Sequence, residues 1–352
     1  MIESTFSTSE PFYQSLPKVE LHRHLEGSLR VRTMMEIVRA HNLDVKDTGY
    51  LRPLVQVEQD DPYTFENFLA KFGTLRLFYK SPEIIRRVTR EAVEDAAEDN
   101  IRYLELRFTP VALSRAEGFP VPEVIDWVVD SARQAQEEHP IKVRLIVSLN
   151  RHEDIRLAEK VIRAARDRRD QGVVGVDLAG NEAEYEASPF QSLLTEARKS
   201  GLQLTIHAGE WGGAENVREA ITLFNADRIG HGIRVLEDPR TVRMVRERKT
   251  AFEVCITSNH HSGVVDDIHQ HPIQEMMMEN INVTINTDDP SISRISLGNE
   301  YQVFREKLGM PLWALRERVL AAARASFLPP EERQRLVYDL SLEFSQKMLS
   351  DA

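Results

Sequence analysis

Val19-Glu20-Leu21-His22-Arg23-His24-Leu25-Glu26-Gly27 is an apolar run that ends in polar residues and a glycine. If this run is a β-strand, side chains two residues apart point to the same face, so His22 and His24 lie side by side. Two imidazoles on one rigid strand are half of a metal site. A lone pair of this kind also fits ordinary polar residues at a strand end, so the rest of the chain must supply the other ligands.

Seven more short runs rich in Val, Ile and Leu follow, separated by longer helical patterns. Most lack strict alternation of apolar and polar residues, which is typical of strands covered on both faces in a parallel sheet. The eight predicted strands are Lys18–His24, Ile101–Phe108, Lys142–Leu149, Val173–Ala179, Gln203–His207, Arg228–His231, Ala251–Ile256 and Asn282–Asn286. Eight strands that alternate with helices predict a (β/α)8 TIM barrel, an α/β fold.

The segments between the strands show start signals of helices. Ser81 and Pro82 open a predicted helix over 82–98, and Ser28 is expected to cap a helix over 29–41 in the same way. The long connection between the first two strands contains an extra predicted helix, Thr64–Tyr79, which we interpret as a lid or pocket wall. Three further helices at the C-terminus are expected to cover the barrel: Glu300–Leu308, Pro311–Ser326 and Pro330–Leu349.

The length of the chain fits one large domain. It has 352 residues and a mass of 40.4 kDa, which barrel folds often carry as a single unit. We find no linker, internal repeat or low-complexity tract, and we therefore predict one domain over residues 1–352. Residues 1–10, rich in Ser, Thr and Glu, are expected to be flexible.

Charge and cysteine content exclude several classes of partner. The net charge of −11 and the pI near 5.6 give no general attraction to phosphate backbones or anionic membranes, so we expect neither a nucleic-acid nor a membrane partner. Cys255 is the only cysteine and cannot form an internal disulfide. Because no apolar run approaches the ~20 residues that cross a bilayer, a cytoplasmic location is predicted. No pattern indicates an oligomeric state.

Polar residues follow the ends of five predicted strands. Active sites of barrel enzymes form at the carboxyl ends of the strands, so these side chains are expected to converge. They are His22 and His24 after the first strand, Gly180 after the fourth, His207 and Glu210 after the fifth, His231 at the sixth, and Asp288 and Asp289 after the eighth.

Four of these residues predict a site for one metal ion. His22, His24 and His207 offer ring nitrogens, and Asp288 offers a carboxylate oxygen. This donor set suits Zn²⁺, although iron or another first-row divalent ion also accepts it. An ion of this kind lowers the pKa of a bound water towards neutrality, so hydrolysis is the predicted reaction class.

Glu210 is the candidate proton donor. It lies three residues after His207, and Gly209 between them permits a tight turn. In a cavity crowded by carboxylates its pKa rises, which allows it to deliver a proton to a ring nitrogen of the substrate. The alternatives are a carboxylate on the loop surface or a cap of the following helix.

His231 and Asp289 are the other candidates near the reacting atoms. His231 lies between two glycines and is expected to act as a base or an orienting group for the attacking water, or to be a purely structural histidine. Asp289 follows Asp288 directly, and two adjacent ionised carboxylates are costly, so one is expected to be protonated and to donate a hydrogen bond. The alternative is an ordinary acidic turn.

Seven motifs occur in order: HRHLEG at 22–27, DLAG at 177–180, HAGE at 207–210, GHG at 230–232, FEVC at 252–255, TSN at 257–259 and NTDDP at 286–290. In this combination the sequence resembles the adenosine deaminase family of purine aminohydrolases over roughly residues 16–289. The resemblance implies a (β/α)8 barrel, one Zn²⁺ per chain and hydrolytic loss of a purine 6-amino group as ammonia.

The resemblance also implies roles for single residues. The metal ligands are matched by His22, His24, His207 and Asp288, of which His24 also lies beside the substrate and Asp288 also takes part in catalysis. The implied contacts to the purine and the water come from Glu210 at N1, Asp289 at N7, the backbone of Gly180 at N3, His231 at the water, and the apolar wall residues Phe68, Leu69 and Phe72.

Glu26 bears on the choice of substrate. Adenosine-specific members of the family usually have Asp at this position, implied to meet the ribose 5′ hydroxyl, whereas adenine deaminases often carry Glu. Asn286-Thr287 looks more like the adenosine branch. We therefore predict deamination of adenosine or deoxyadenosine to inosine or deoxyinosine, with adenine, N6-methyl-AMP and 6-amino-6-deoxyfutalosine as alternative substrates.

Two other classes of protein fit the sequence less well. A binuclear amidohydrolase commonly uses a carboxylated lysine on the fourth strand, and residues 173–180 contain no lysine. A barrel that only binds a nucleoside or a metal would release no ammonia from any 6-aminopurine. The set of polar residues at the strand ends favours the enzyme.

Overall fold

The computed structural model describes residues 10–350, and these contain eight parallel strands in sequential order. The strands are β1 (Lys18–His24), β2 (Ile101–Phe108), β3 (Lys142–Asn150), β4 (Val173–Ala179), β5 (Gln203–His207), β6 (Arg228–Gly230), β7 (Ala251–Val254) and β8 (Asn282–Ile285). Each strand pairs in parallel with the next. The predicted (β/α)8 barrel is confirmed.

The barrel closes between β8 and β1 through the segment that follows β8. The backbone N–H of Asp288 donates to the carbonyl of His22 at 2.9 Å, and the N–H of His24 donates to the carbonyl of Asp288 at 2.8 Å. Nearby, the N–H of Leu21 donates to Oδ1 of Asn286 at 3.0 Å. The closure therefore lies at the carboxyl end of the barrel and is made by three of the predicted metal ligands.

Helices alternate with the strands and form the outer layer. Within residues 10–350 the α-helices are α1 (Pro11–Ser15), α2 (Val31–His41), α3 (Thr48–Val55), α4 (Phe65–Leu75), α5 (Pro82–Glu98), α6 (Pro110–Arg115), α7 (Val121–Glu138), α8 (Ile155–Arg166), α9 (Gln191–Lys199), α10 (Ala214–Thr222), α11 (Pro239–Arg248), α12 (Ile256–His261), α13 (Ile273–Met278), α14 (Pro290–Ser293), α15 (Leu297–Gln302), α16 (Leu312–Ala325) and α17 (Pro330–Ser350). Short 3₁₀ turns extend several of them, and a π-helix over Val303–Lys307 continues α15.

The helix starts show one confirmed and one wrong prediction. Ser81 caps α5, because its hydroxyl accepts from the N–H of Ile84 at 3.3 Å. The predicted cap by Ser28 is wrong: α2 begins at Val31 without a side-chain cap, and the Ser28 hydroxyl donates to the carbonyl of His24 at 2.6 Å. Ser28 thus holds the end of β1 instead of the start of a helix.

The predicted lid helix and the predicted C-terminal helices are present, whereas α3 and α14 were not predicted. Two helices, α3 and α4, occupy the connection before α5, and α4 with its 3₁₀ extension Arg76–Phe78 matches the predicted lid segment. The helices α14 to α17 follow β8. No helix within residues 10–350 is long and apolar enough to cross a membrane. The expected flexibility of residues 1–10 concerns a segment that, apart from Glu10, lies outside the described residues.

A network of ion pairs fills the polar part of the barrel interior. Arg107 pairs with Glu253 at 2.7 Å and with Asp177 at 3.3 Å. Arg228 pairs with Glu105 and Glu253, each at 2.5 Å. All five side chains are at most 1% exposed. Because each buried charge faces an opposite one, the network is electrostatically satisfied, and it lies directly beneath the carboxyl ends of the strands.

Candidate active site

The four predicted metal ligands come together at the carboxyl end of the barrel. One donor atom from each of His22, His24, His207 and Asp288 lies within 4.8 Å of the others. The Nε2 atoms of His22 and His24 are 3.2 Å and 3.4 Å from Oδ1 of Asp288. β1 supplies two ligands, β5 supplies one, and the closing segment after β8 supplies the fourth.

Buried carboxylates orient two of these imidazoles. Nδ1 of His22 is 2.8 Å from Oε2 of Glu253, and Nδ1 of His207 is 2.9 Å from Oδ1 of Asp177. A carboxylate that accepts from Nδ1–H leaves the Nε2 lone pair free, which is the usual arrangement of a metal-binding histidine. Nε2 of His22 is buried and has no hydrogen-bond partner. The residues present therefore fit a divalent metal ion.

Two site residues adopt a left-handed backbone that is uncommon for residues other than glycine. His231 has φ 57° and Asp288 has φ 65°. Such conformations cluster at functional sites, where the surrounding structure enforces them. Gly230 permits the close packing beside His231, because a Cβ at Gly230 would lie 3.1 Å from Cε1 of His22 and 3.2 Å from Cα of His207. The GHG motif thus brings an imidazole close to the metal ligands.

Glu210 is buried next to this cluster. Its Oε2 lies 3.6 Å from Nε2 of His231. Burial, and then the negative charges of Asp288 and Glu182, raise the pKa of Glu210 well above its usual value. This shift favours the protonated form of the carboxyl group, which a proton donor requires.

Glu182, which the sequence analysis missed, holds the loop that carries Glu210. Its carboxylate accepts from the backbone N–H groups of Gly209 at 2.9 Å, Glu210 at 2.6 Å and Trp211 at 2.9 Å. It also accepts from the side-chain amide of Asn216 at 2.8 Å. The motif DLAG ends two residues before Glu182, so proximity to that motif was the signal that could have found it.

A chain of hydrogen bonds determines which nitrogen of His231 carries the proton. The N–H of Ile273 donates to Nδ1 of His271 at 3.1 Å, so Nε2 of His271 carries a hydrogen that faces Oδ1 of Asn259 at 3.3 Å. The amide nitrogen of Asn259 then donates to Nδ1 of His231 at 3.1 Å. Burial lowers the pKa of His271 to about 3 and the pKa of His231 well below its usual value, so both rings are neutral. Nε2 of His231 is therefore protonated and points towards Glu210.

Asp289 lies on the other side of the cluster. Burial, and then the charges of Asp288 and Glu26, raise its pKa well above its usual value, which favours the protonated carboxyl group. Oδ1 of Asp289 is buried and has no hydrogen-bond partner. Gly27 makes room for this side chain, because a Cβ at Gly27 would lie 1.8 Å from Oδ1 of Asp289. The glycine of HRHLEG thus permits the aspartate of NTDDP to enter the site.

All the predicted substrate contacts line one cavity with three of the metal ligands. The lining residues are His24, Glu26, Phe68, Leu69, Phe72, Arg76, Thr109, Ala112, Asn150, Ala179, Gly180, His207, Glu210, Trp211, His231, Asp288 and Asp289. Among them, the lid residues Phe68, Leu69 and Phe72 form an apolar side, and Arg76 and Trp211 were not predicted. A larger cavity of about 890 Å³ opens at the amino ends of the strands and contains none of these side chains.

Glu26 is held at one side of this cavity by the second strand. Its Oε1 accepts from the N–H of Thr109 at 2.6 Å, while Oε2 is buried without a partner. Burial raises the pKa of Glu26 to about 7. The side chain thus presents one free oxygen to a ligand in the cavity.

The sequence model of the adenosine deaminase family matches residues 17–341. The chain belongs to the adenosine deaminase family. An adenosine deaminase of Clostridium perfringens is 35% identical over 324 residues, which cover 92% of this chain and 97% of that protein. An adenosine deaminase of Clostridium botulinum is 34% identical over 325 residues, with coverage of 92% and 97%.

Solved structures give the same fold. The N6-mAMP deaminase of Arabidopsis superposes with a TM-score of 0.84 at 29% identity and covers 94% of this chain and 99% of its own. An amidohydrolase of Burkholderia ambifaria, solved with bound Zn, has a TM-score of 0.86 at 23% identity and covers 99% and 98%; at that identity it supports the fold alone. Membership in the adenosine deaminase family makes the chain a deaminase-type hydrolase that acts on purines.

Proposed function

We propose that the chain deaminates adenosine and deoxyadenosine hydrolytically to inosine and deoxyinosine, with one Zn²⁺ per chain. The observation that carries this proposal is the placement of Glu210, whose pKa is raised, beside the four-residue metal cluster and inside a cavity with an apolar wall. Three imidazoles and a carboxylate are donors that zinc prefers. When bound, the ion would supply Lewis-acid activation of a water molecule.

The purine is held by groups on several sides of the cavity. Protonated Asp289 donates to N7, and the backbone N–H of Gly180 donates to N3. The apolar faces of Phe68, Leu69 and Phe72 pack against the base and exclude water from it. With the base held in this way, its 6-position faces the metal cluster and N1 faces Glu210.

The reaction needs one proton on N1 and one on the leaving nitrogen. His231 donates from Nε2–H to the oxygen of the attacking water and so orients it towards C6. As the C6–O bond forms, Glu210 transfers its proton to N1. The carboxylate of Glu210 then accepts a proton released by the water. The C6–N6 bond breaks with one proton carried to N6, which leaves as ammonia, and the 6-oxo product keeps the proton on N1.

Two sets of observations bear on the substrate. The adenosine deaminases of Clostridium are the relatives at 34–35% identity, which favours adenosine. The similarity to the Arabidopsis N6-mAMP deaminase supports N6-methyl-AMP as a second candidate. The free oxygen of Glu26 is available to accept a hydrogen bond from a ribose hydroxyl.

A panel of 6-aminopurines tests the proposal. The rate of ammonia release is measured with adenosine, deoxyadenosine, adenine, N6-methyl-AMP and 6-amino-6-deoxyfutalosine. The proposal expects adenosine to exceed adenine in kcat/KM. Equal or better turnover of adenine contradicts it, and no ammonia from any of the five contradicts deamination itself. Localisation in the cytoplasm, a single domain and the lack of nucleic-acid or membrane partners stay predictions.

A further inference from the structure

Arg76 is a cation without a partner inside the active-site cavity. It follows α4 directly, lines the cavity and is half-buried. Its Nε is buried with no hydrogen-bond partner. Within residues 10–350, no carboxylate oxygen lies within 4.0 Å of its guanidinium nitrogens. Lys80, which lies four residues after Arg76, differs in this respect because its ammonium pairs with Glu117 at 2.8 Å.

The lining of the cavity and the direction of α4 show where Arg76 lies relative to the reacting end. Apart from histidines, Arg76 is the one basic side chain among the lining residues, whereas Glu26, Glu210, Asp288 and Asp289 are acidic. Phe65, at the start of α4, packs against Trp211, the neighbour of Glu210, with ring centroids 5.5 Å apart, whereas Arg76 follows the opposite end of the same helix. Glu210 and the metal cluster mark the end of the cavity where the purine 6-position reacts. Arg76 therefore faces the part of the ligand remote from the reacting carbon.

A half-buried guanidinium with no partner is costly unless a ligand supplies one. Arginine presents a planar fork of N–H groups that matches carboxylate or phosphate oxygens in pairs. Neutral adenosine has no such group. An anion attached on the ribose side of a 6-aminopurine nucleoside would reach the end of the cavity that contains Arg76.

We infer that Arg76 forms an anion subsite and that the enzyme prefers 6-aminopurine nucleosides carrying a phosphate or carboxylate on the ribose side over adenosine itself. The inference rests on the proposed deamination of 6-aminopurine nucleosides; it keeps adenosine as a substrate and adds an anionic derivative of it as the preferred one. The phosphate and the carboxylate share one chemistry, a pair of oxygens that accept from the guanidinium.

The experiment compares three variants with the parent enzyme. Arg76→Gln removes the charge, Arg76→Lys keeps it, and Lys80→Gln is the matched control that removes a charge outside the cavity. For each protein, kcat/KM is measured with adenosine, with AMP and N6-methyl-AMP as phosphate substrates, and with 6-amino-6-deoxyfutalosine as a carboxylate substrate. The quantity of interest is the ratio of kcat/KM for each anionic substrate to that for adenosine.

We expect the parent enzyme to favour one of the anionic substrates over adenosine. Which substrate it favours shows whether the subsite binds a phosphate or a carboxylate. Loss of a hydrogen bond to a charged group should lower the ratio about 10- to 100-fold in Arg76→Gln. Arg76→Lys should retain part of the preference, and Lys80→Gln should change the ratio by less than about twofold. A parent that prefers adenosine to all anionic substrates overturns the inference, and so does a ratio that Arg76→Gln leaves unchanged.

Binding of products provides a readout that does not depend on turnover. Calorimetry measures the affinity of the parent and of Arg76→Gln for IMP and for inosine. If IMP is the favoured phosphate ligand, its affinity should fall in Arg76→Gln more than that of inosine. No ammonia from any substrate would contradict the proposed function alone. Equal effects of the substitution on IMP and inosine, with no carboxylate preference in turnover, would contradict the anion subsite alone.

Discussion

The interior of the barrel and its carboxyl-terminal mouth both contain buried charged groups, but those of the interior form ion pairs of opposite charge, whereas acidic groups crowd the mouth. In the interior, Arg107 and Arg228 face carboxylates within 3.3 Å. At the mouth, Nε2 of His22, Oε2 of Glu26 and Oδ1 of Asp289 are buried without a hydrogen bond. Unsatisfied buried polar atoms are rare in folded proteins. These three atoms belong to the metal cluster and the cavity beside it, where a bound ligand would supply the missing partners.

The two regions also differ in what they contribute. The paired interior charges fix the side chains that orient the metal ligands, since Glu253 contacts both Arg107 and His22. The groups at the mouth are those to which we assign substrate binding and proton transfer. Substitutions should therefore affect catalysis at the mouth and folding in the interior.

The largest expected effect comes from Glu210→Gln at the mouth. The amide keeps the shape of the side chain but cannot deliver a proton to N1, so kcat should fall by about 10²- to 10⁴-fold while purine binding persists. Steady-state kinetics together with calorimetry of product binding measure both quantities. Glu215→Gln, on the exposed face of α10, is the control. A kcat within about tenfold of the parent, equal to some 1.4 kcal/mol of barrier, would remove Glu210 from this role.

The variant Arg228→Met tests whether the buried ion pairs of the barrel interior stabilise the fold. It leaves Glu105 and Glu253 buried without their shared cation, which should lower the free energy of unfolding by about 3–5 kcal/mol. Denaturant unfolding measures this quantity. Arg218→Met removes a partly exposed arginine that pairs with Asp238, and it should cost less than about 1 kcal/mol. Similar losses in the two variants would mean that the interior network does not support the barrel.

His271→Phe has the smallest expected effect and acts through the tautomer of His231. The substitution keeps an aromatic ring but removes the acceptor for Ile273 N–H and the donor to Asn259. We expect kcat to fall by roughly tenfold, a small loss for a change in the positioning of a catalytic group, while KM stays nearly unchanged. The control is His269→Phe, which alters an exposed histidine two residues earlier.

The ¹⁵N resonances of His231 give a second readout for the same variant. The parent should show hydrogen on Nε2 and none on Nδ1, and His271→Phe should show a mixture of the two tautomers. A parent with the hydrogen on Nδ1 would contradict the hydrogen-bond chain, whatever the kinetics.

The sequence predicted the strands because buried parallel strands are continuous apolar runs, as in Lys142–Asn150. It predicted the metal cluster because a barrel brings the carboxyl ends of its strands to one face, which places His207 beside residues nearly two hundred positions away. The sequence did not predict Glu182, His271 and Arg76 as site residues, because their roles depend on contacts between loops that no local spacing of residues indicates. The failed N-cap at Ser28 has the same cause, since the end of β1 competes for its hydroxyl.

The most direct test of the account is a metal titration of the apoprotein. Protein freed of metal by a chelator receives increasing Zn²⁺, and bound metal and ammonia release from the best 6-aminopurine are measured on the same samples. We predict that activity rises in proportion to bound zinc and reaches its maximum at one ion per chain. Activity in the metal-free protein, or activity that appears only with two ions per chain, would contradict the one-metal site formed by His22, His24, His207 and Asp288.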